Sequence, residues 1–327
     1  MKGISIILCC YNSSTRLPET LQNLAKQKLT NDISVEIILV NNASTDNTKE
    51  VSLYEWNKYA TRFSLRIVDE LKPGLIFARE CGVKEAKYEY IIFCDDDNWL
   101  KPDYCQTAFE LMENNPQIGA LGGQGTAVSD VDFPEWFSDF EDSYAVGKQA
   151  EKSGNISDRA YVWGAGLITR KSLMVKAFDK NFPFLLMGRK ENILLAGDDS
   201  EVCKRILLLG YNLFYNEKLH YQHYIPVNRL TWSYKKNMFL GFRNSIPILN
   251  KYDIILTEIK LKKITQIKKI ILLSLKAIKQ LLFKWRITEQ LKLNLAIKFS
   301  ILTKQNFLKD IEYRNIVAFY IYNYKND

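Results

Sequence analysis

Three times in the first hundred residues a largely apolar run stops abruptly at a polar cluster. Ile4 to Cys10 ends at Tyr11-Asn12-Ser13-Ser14, Val35 to Val40 at Asn41-Asn42-Ala43-Ser44-Thr45-Asp46, and Ile91 to Cys94 at Asp95-Asp96-Asp97. Short runs without polar alternation read as strands buried on both faces, the pattern of a parallel sheet. Between them lie helical segments. Leu17, Leu21, Leu24 and Ala25 recur at helical spacing behind Pro18, and Ser44 to Asp46 are good starters for a helix through Tyr59. Leu65 to Val68 reads as a further strand, Lys72-Pro73-Gly74 as a turn, and Leu75 to Lys87 as a helix. The alternation predicts an α/β fold with a doubly wound, mostly parallel sheet. Ligands in such sheets bind beyond the carboxyl ends of the strands, so Tyr11, Asn42 and Asp95 to Asp97 are expected to share one crevice. Neither GxGxxG nor GxxxxGK[ST] follows these strands, which argues against a dinucleotide dehydrogenase and a P-loop enzyme.

Asp95-Asp96-Asp97 places three mutually repelling carboxylates together, an arrangement a hard divalent cation relieves while leaving coordination positions for phosphate oxygens. The competing reading is an acidic turn ahead of the helix that Lys101-Pro102-Asp103 starts. That helix is expected to run from Tyr104 to about Asn115, with a strand following at Ile118 to Gly122. Val128 to Gly154 reads as a long loop of the kind that forms lids and binding segments. Trp163 to Ile168 reads as a strand with glycines for close approach. A second acidic group, Gly197-Asp198-Asp199-Ser200-Glu201, opens a helix that stops near Gly210; capping is the alternative to catalysis there. Leu213 to Tyr215 and Leu219 to His223 read as two short strands, and His220 and His223 are the only histidines.

The basic charge is confined to the C-terminal part. Residues 251–327 carry 16 Lys and Arg against 6 Asp and Glu, leaving 29 against 31 in residues 1–250, so the two parts are expected to meet different partners. Ile267, Ile271, Leu275, Ile278, Leu282 and Trp285 recur with Lys262, Lys269 and Lys276 on another face. This is a basic amphipathic helix for an anionic membrane surface through 260–290, or for packing on the rest of the protein. Ile311 to Tyr324 is an aromatic segment suited to dock on it. The six cysteines show no CxxC spacing and read as reduced thiols of a cytosolic protein. Met1-Lys2-Gly3 runs directly into a strand, so no secretory signal is expected, and no apolar stretch reaches the roughly 18–20 residues of a membrane span.

Taken in order, Ser5 to Asn12, Val40 to Asp46, Gly74-Leu75 through Arg79, Asp95 to Asn98, Gly164-Ala165-Gly166, Gly197 to Glu201 and His223 resemble the glycosyltransferase family 2 pattern on the GT-A fold, over roughly residues 3 to 245. The resemblance implies a Rossmann-like GT-A catalytic domain at 1–250. Residues to about 123 would bind a nucleotide sugar, and those from about 124 would supply the acceptor site and base. A helical basic extension would occupy 251–327. It further implies Mn2+ or Mg2+ on Asp97, with His223 as a further ligand or a phosphate contact, an ordinary packed histidine being the alternative, and Asp95 and Asp96 facing ribose and sugar or supporting Asp97. Tyr11 would lie against the base, Asn42 would stand where an acid often meets uracil, and Arg79 would contact base or phosphate. Asp199 matches the catalytic base of an inverting transfer to a hydroxyl of a saccharide or lipid-linked acceptor, as in bacterial polysaccharide assembly. A UDP-sugar is the donor this implies, with a cytoplasmic location, peripheral on the inner face of the membrane, and no nucleic acid partner. Arg229 and Tyr234-Lys235-Lys236 are candidates to close over the diphosphate, a solvated basic face being the alternative. No QxxRW motif is present, which argues against a processive polymer synthase. A catalytically silent sugar-nucleotide or membrane-binding module and a nucleotidyltransferase are the competing classes.

Overall fold

The computed structural model describes residues 2–187, 189–190, 193–194, 196–262 and 310–326. In chain order the elements begin with strand β1 (Gly3–Cys10), helix α1 (Leu17–Ala25), β2 (Ser34–Asn42), α2 (Thr48–Trp56), β3 (Ser64–Glu70), α3 (Leu75–Glu85) and β4 (Tyr90–Asp95). They continue with β5 (Asn98–Leu100), α4 (Tyr104–Asn114), β6 (Ile118–Val128), β7 (Gly154–Asn155), β8 (Ile168–Arg170), α5 (Lys171–Ala177), β9 (Arg189–Lys190) and β10 (Ile193–Leu194). The last are α6 (Asp198–Leu208), β11 (Asn212–Tyr224), α7 (Trp232–Lys262) and α8 (Ile311–Asn326).

The main sheet runs β3-β2-β1-β4-β8-β6-β11-β5, with β7 paired to β11. The strands β3, β2, β1 and β4 are parallel throughout, as their largely apolar runs and intervening helices predict. Antiparallel β8 then separates them from the parallel pair β6 and β11. Ile4, Ile6 and Leu8 face a core completed by Leu17, Leu21 and Leu24 of α1 and by Tyr104, Cys105 and Met112 of α4. Each such aliphatic side chain stabilises the fold by about 1.5–3 kcal/mol. On the other face α3 lies so close that a Cβ on Gly82 would stand 2.3 Å from Ile7 Cγ2. Helices thus cover both sides of the sheet.

Two strand expectations need correction. Trp163 to Leu167 is a turn rather than a strand, and regular pairing begins only at Ile168. Leu213 to Tyr215 and Leu219 to His223 are parts of one strand, β11, with a register shift against β6 between Tyr215 and His220. Gly123 permits that irregularity, since a Cβ there would lie 1.9 Å from the carbonyl oxygen of Leu219. The long helix α7 begins at Trp232, well ahead of the helical extension expected from residue 251; its first half escaped the periodicity reading.

The described chain divides into two compact units, Met1–Ser245 and Ile246–Asp327. Within the second, Lys251 Nζ bonds Asp310 Oδ2 at 2.7 Å and Glu312 Oε2 at 2.5 Å, and Tyr252, Tyr313 and Phe319 are buried. The amphipathic segment from Ile264 to Trp285 lies outside the described residues. Among the described residues no helix is long and apolar enough to cross a membrane.

Candidate functional site

Strand register brings the polar clusters to one sheet edge. Cys9 of β1 pairs with both Val40 of β2 and Asp95 of β4, so Tyr11, Asn42 and the acids follow at the same level. The turns after β1 and β2 are locked together. Asn12, at φ +49°, accepts from Thr45 N at 2.8 Å, Ser13 N donates to Thr48 Oγ1 at 2.9 Å, and Ser14 N donates to Asp46 Oδ2 at 3.0 Å. Tyr11 stands clear of this lock and is 58% exposed, a ring free to take a flat partner. Asn42 is buried. Its Nδ2 donates to Glu70 O and Lys72 O at 3.1 and 2.7 Å, while Oδ1 accepts from Gly74 N at 2.8 Å. Both amide hydrogens are therefore consumed, by the end of β3 at Glu70 and by Lys72 of the turn that follows, and a base could meet Asn42 only by donating to the second lone pair of Oδ1.

The three adjacent acids have three different environments. Asp95 is raised to about 6 by burial and by Asp97 and Asp96, with Arg79 opposing. Asp96 is also raised by burial and by Asp97; its Oδ2 accepts from Ser13 Oγ and from Arg16 Nη2 at 2.5 Å, and its backbone carbonyl accepts from Thr20 Oγ1 at 2.7 Å. This carboxylate clamps the start of α1 onto the acidic turn. Burial pushes Asp97 upward too, but His223, Arg229 and Arg16 outweigh it and hold Asp97 below the usual carboxylate range. Arg229 Nη1 lies 2.9 Å from Asp97 Oδ2 and Asn98 Nδ2 donates to Oδ1 at 3.1 Å. Sequence reasoning missed Ser13, Arg16 and Thr20, because nothing local marks a contact made across some eighty residues.

His223 completes this side. Its Nδ1 is 2.6 Å from the carbonyl oxygen of Tyr144, an atom that only accepts, so Nδ1 carries the hydrogen. Nε2 then faces Asp97 Oδ1 at 3.5 Å: a proton on it gives the ion pair that holds Asp97 down, and without that proton its lone pair and the carboxylate are two donors that a cation can take in the proton's place. Among the described residues no three His, Cys, Asp or Glu side chains are gathered to hold one alone. The donor set fits a cation that takes one carboxylate and one imidazole from the protein and its remaining oxygens from diphosphate and water.

The second acidic group lies at the start of α6, behind Gly197 at φ +101°. Asp199 Oδ2 accepts from Gly164 N at 3.1 Å and Oδ1 from Ser200 N at 2.7 Å. Burial and the neighbouring Asp198 raise its pKa, with Arg79 opposing. Arg79 is the hinge of the site. It is buried on α3, bonds Asp198 Oδ2 through Nη1 at 2.7 Å, stacks over Phe93 at 5.3 Å, and feels the charges of Asp95 and Asp199. A Cβ on Gly164 would lie 2.7 Å from Arg79 Nη2 and 3.4 Å from Asp199 Cβ, which explains a glycine there. Arg79 therefore neutralises acids from both groups and brings them to the same part of the sheet edge. Lys235 and Lys236 stand apart on α7, with no contact to Asp97 or Arg229 among the described interactions.

The family model described as glycosyl transferase family 2 matches residues 5–174. The chain is 24% identical over 242 residues to a putative glycosyltransferase EpsH of Bacillus subtilis (strain 168), covering 72% of this chain and 65% of that one. It is 34% identical over 124 residues to a poly-beta-1,6-N-acetyl-D-glucosamine synthase of Staphylococcus epidermidis, covering 38% and 28%. The chain thus spans less than two thirds of either relative. Among solved structures, S. aureus TarS 1–349 aligns with a TM-score of 0.53 at 17% identity, covering 99% of this chain and 89% of that one. The same TarS segment in complex with UDP-GlcNAc aligns at 0.52 with 20% identity, covering 79% and 71%. These two likenesses establish the GT-A fold.

Proposed function

Since the chain belongs to glycosyl transferase family 2, whose model covers more than half of it, we propose that it transfers a sugar from a UDP-sugar to a hydroxyl of a saccharide or lipid-linked saccharide, with inversion at the anomeric carbon. The observation that carries this reading is the shared Arg79, which bonds Asp198 at 2.7 Å and feels the charges of Asp95 and Asp199, so that one side chain links the two acidic groups. UDP-GlcNAc is the first donor to test, because the TarS segment was captured with it.

In this reading the diphosphate lies over the acidic turn, and the uracil ring stacks on Tyr11 while its N3–H donates to Asn42 Oδ1. Asp97 and His223 would hold the cation, Mn2+ or Mg2+, which when bound neutralises charge developing on the departing diphosphate. Arg229, already on Asp97 at 2.9 Å, adds a second positive charge beside the same oxygens. Asp199 takes the proton from the attacking hydroxyl. Its raised pKa makes it a stronger base than an exposed aspartate, while the Gly164 and Ser200 amides fix its direction. Residues 1–250 would form the catalytic part, split near 123 between donor and acceptor sides. Residues 251–327 would serve attachment to an anionic membrane surface.

The experiment is donor titration and turnover in parallel for Asp199→Asn. Donor affinity is expected to be kept while transfer, or hydrolysis of the donor by water, falls by about 10²–10⁴-fold. Wild-type turnover in the variant would place the base elsewhere.

A further inference from the structure

Over its first turns the outward face of α7 is bare. Trp232, Lys235, Lys236, Phe239, Leu240 and Arg243 line an open groove of about 500 Å³, and Trp232, Phe239 and Leu240 are 64%, 40% and 42% exposed. The helix is anchored from its other side, where Met238 and Phe242 pack with Phe137, Tyr144, Ile225 and Leu230. An apolar stripe turned toward solvent while the opposite stripe fills a core marks a binding surface rather than a packing accident.

The charges in this groove are unusual. Lys235 is only 7% exposed, and its ammonium sits 3.3 Å from the ring centre of Phe140, 4.2 Å from that of Trp232 and 4.8 Å from that of Trp136. The rings attract the cation but bring no counter-charge. Neither Lys235, Lys236 nor Arg243 forms an ion pair among the described residues. A desolvated ammonium with two further cations over an apolar floor matches a ligand with an anionic head and an apolar body.

We propose that this groove binds a single amphiphile bearing a phosphate, with the phosphate on Lys235, Lys236 and Arg243 and the apolar chain along Trp232, Phe239 and Leu240. A flat anionic bilayer fits less well. The adjoining segment touches α7 through Trp136 on Trp232 at 5.3 Å and Phe140 on Phe239 at 5.6 Å, and it carries the exposed acids Asp130, Asp132, Glu135, Asp139, Glu141 and Asp142. A planar anionic surface laid on α7 would meet those acids, whereas one molecule lying in the groove need not. Arg229, bonded to Asp97, stands at the head of the same helix, so a molecule anchored here starts beside the proposed pocket. The inference depends on the transferase reading only in making this amphiphile the acceptor.

The test is calorimetric titration of the full chain with dodecyl phosphate below its micelle concentration, with dodecyl maltoside and inorganic phosphate as controls. Dodecyl phosphate is expected to bind at least about tenfold more tightly than either control. The expected loss is about tenfold or more in Lys235→Met and, separately, in the doubly substituted Lys236→Gln/Arg243→Gln, whose exposed positions cannot disturb folding much. Equal binding of the two alkyl probes, equal binding of inorganic phosphate, an unaffected double variant, binding only to phosphatidylglycerol vesicles, or a groove closed by self-association in sedimentation would each overturn it. Titration of UDP with manganese on the same samples separates the two readings. Lost UDP binding with intact dodecyl phosphate binding would defeat the transferase reading and leave the groove standing, and the reverse result would defeat the groove alone.

Discussion

Replacing Arg79 with methionine tests whether the two acidic groups are held by one charge. Arg79 and Asp198 have side chains 4% and 12% exposed and lie 2.7 Å apart, so the pair is screened little by solvent. Methionine keeps most of the apolar volume, which leaves the lost charge as the dominant change. Removing one member of a buried pair costs about 3–5 kcal/mol, because the remaining carboxylate stays buried without compensation. With a urea m-value of about 3 kcal/mol/M, the midpoint should fall by roughly 1–1.7 M. The double variant Arg79→Met/Asp198→Asn removes the stranded charge and should recover about 2 kcal/mol of the loss, a coupling a double-mutant cycle reads directly. Equilibrium urea unfolding followed by tryptophan fluorescence is the assay. A loss below about 1 kcal/mol for Arg79→Met, or strict additivity in the double variant, would mean that Arg79 does not tie the groups together.

Other expectations follow from single contacts. Asn42→Ala removes three bonds to backbone groups, one at Glu70 and two in the Lys72-Pro73-Gly74 turn, and should cost about 1–3 kcal/mol in unfolding free energy; an unchanged unfolding midpoint would show that the turn holds itself. Gly123→Ala drives a Cβ to 1.9 Å from the Leu219 carbonyl, so the variant should lose several kcal/mol or fail to accumulate as soluble protein, and a stable variant with native circular dichroism would contradict the register shift of β11. Asp199 works unprotonated and burial raises its pKa, so turnover should fall as pH is lowered through a midpoint above the ordinary aspartate range; a rate flat down to about pH 4 would deny it the role of base.

The parallel half of the sheet was legible because largely apolar runs such as Ile4 to Cys10 and Ile91 to Cys94 have one stable use, a strand covered on both sides. Their abrupt polar ends also lie together at one sheet edge, as the parallel register requires. The Trp163 to Ile168 stretch misled for a physical reason: its glycines accommodate side chains from distant elements, Arg79 against Gly164 and the Tyr104 hydroxyl against Gly166, rather than a neighbouring strand. The first half of helix α7 stayed hidden because apolar residues stand on both of its sides, Trp232, Phe239 and Leu240 outward and Met238 and Phe242 inward, which blurs the helical period. The division of labour among Asp95, Asp96 and Asp97 could not be read either, since it is set by Arg79, Arg16 and Arg229, which stand on three separate elements.

Asp97 carries the central claim, that a divalent cation and a nucleoside diphosphate assemble on the acidic end of β4. Calorimetric titration of UDP into wild type and Asp97→Asn, with and without manganese, tests it most directly. The account predicts manganese-strengthened UDP binding in the wild type and its disappearance in the variant. Manganese-dependent UDP affinity that is the same in both proteins would contradict it.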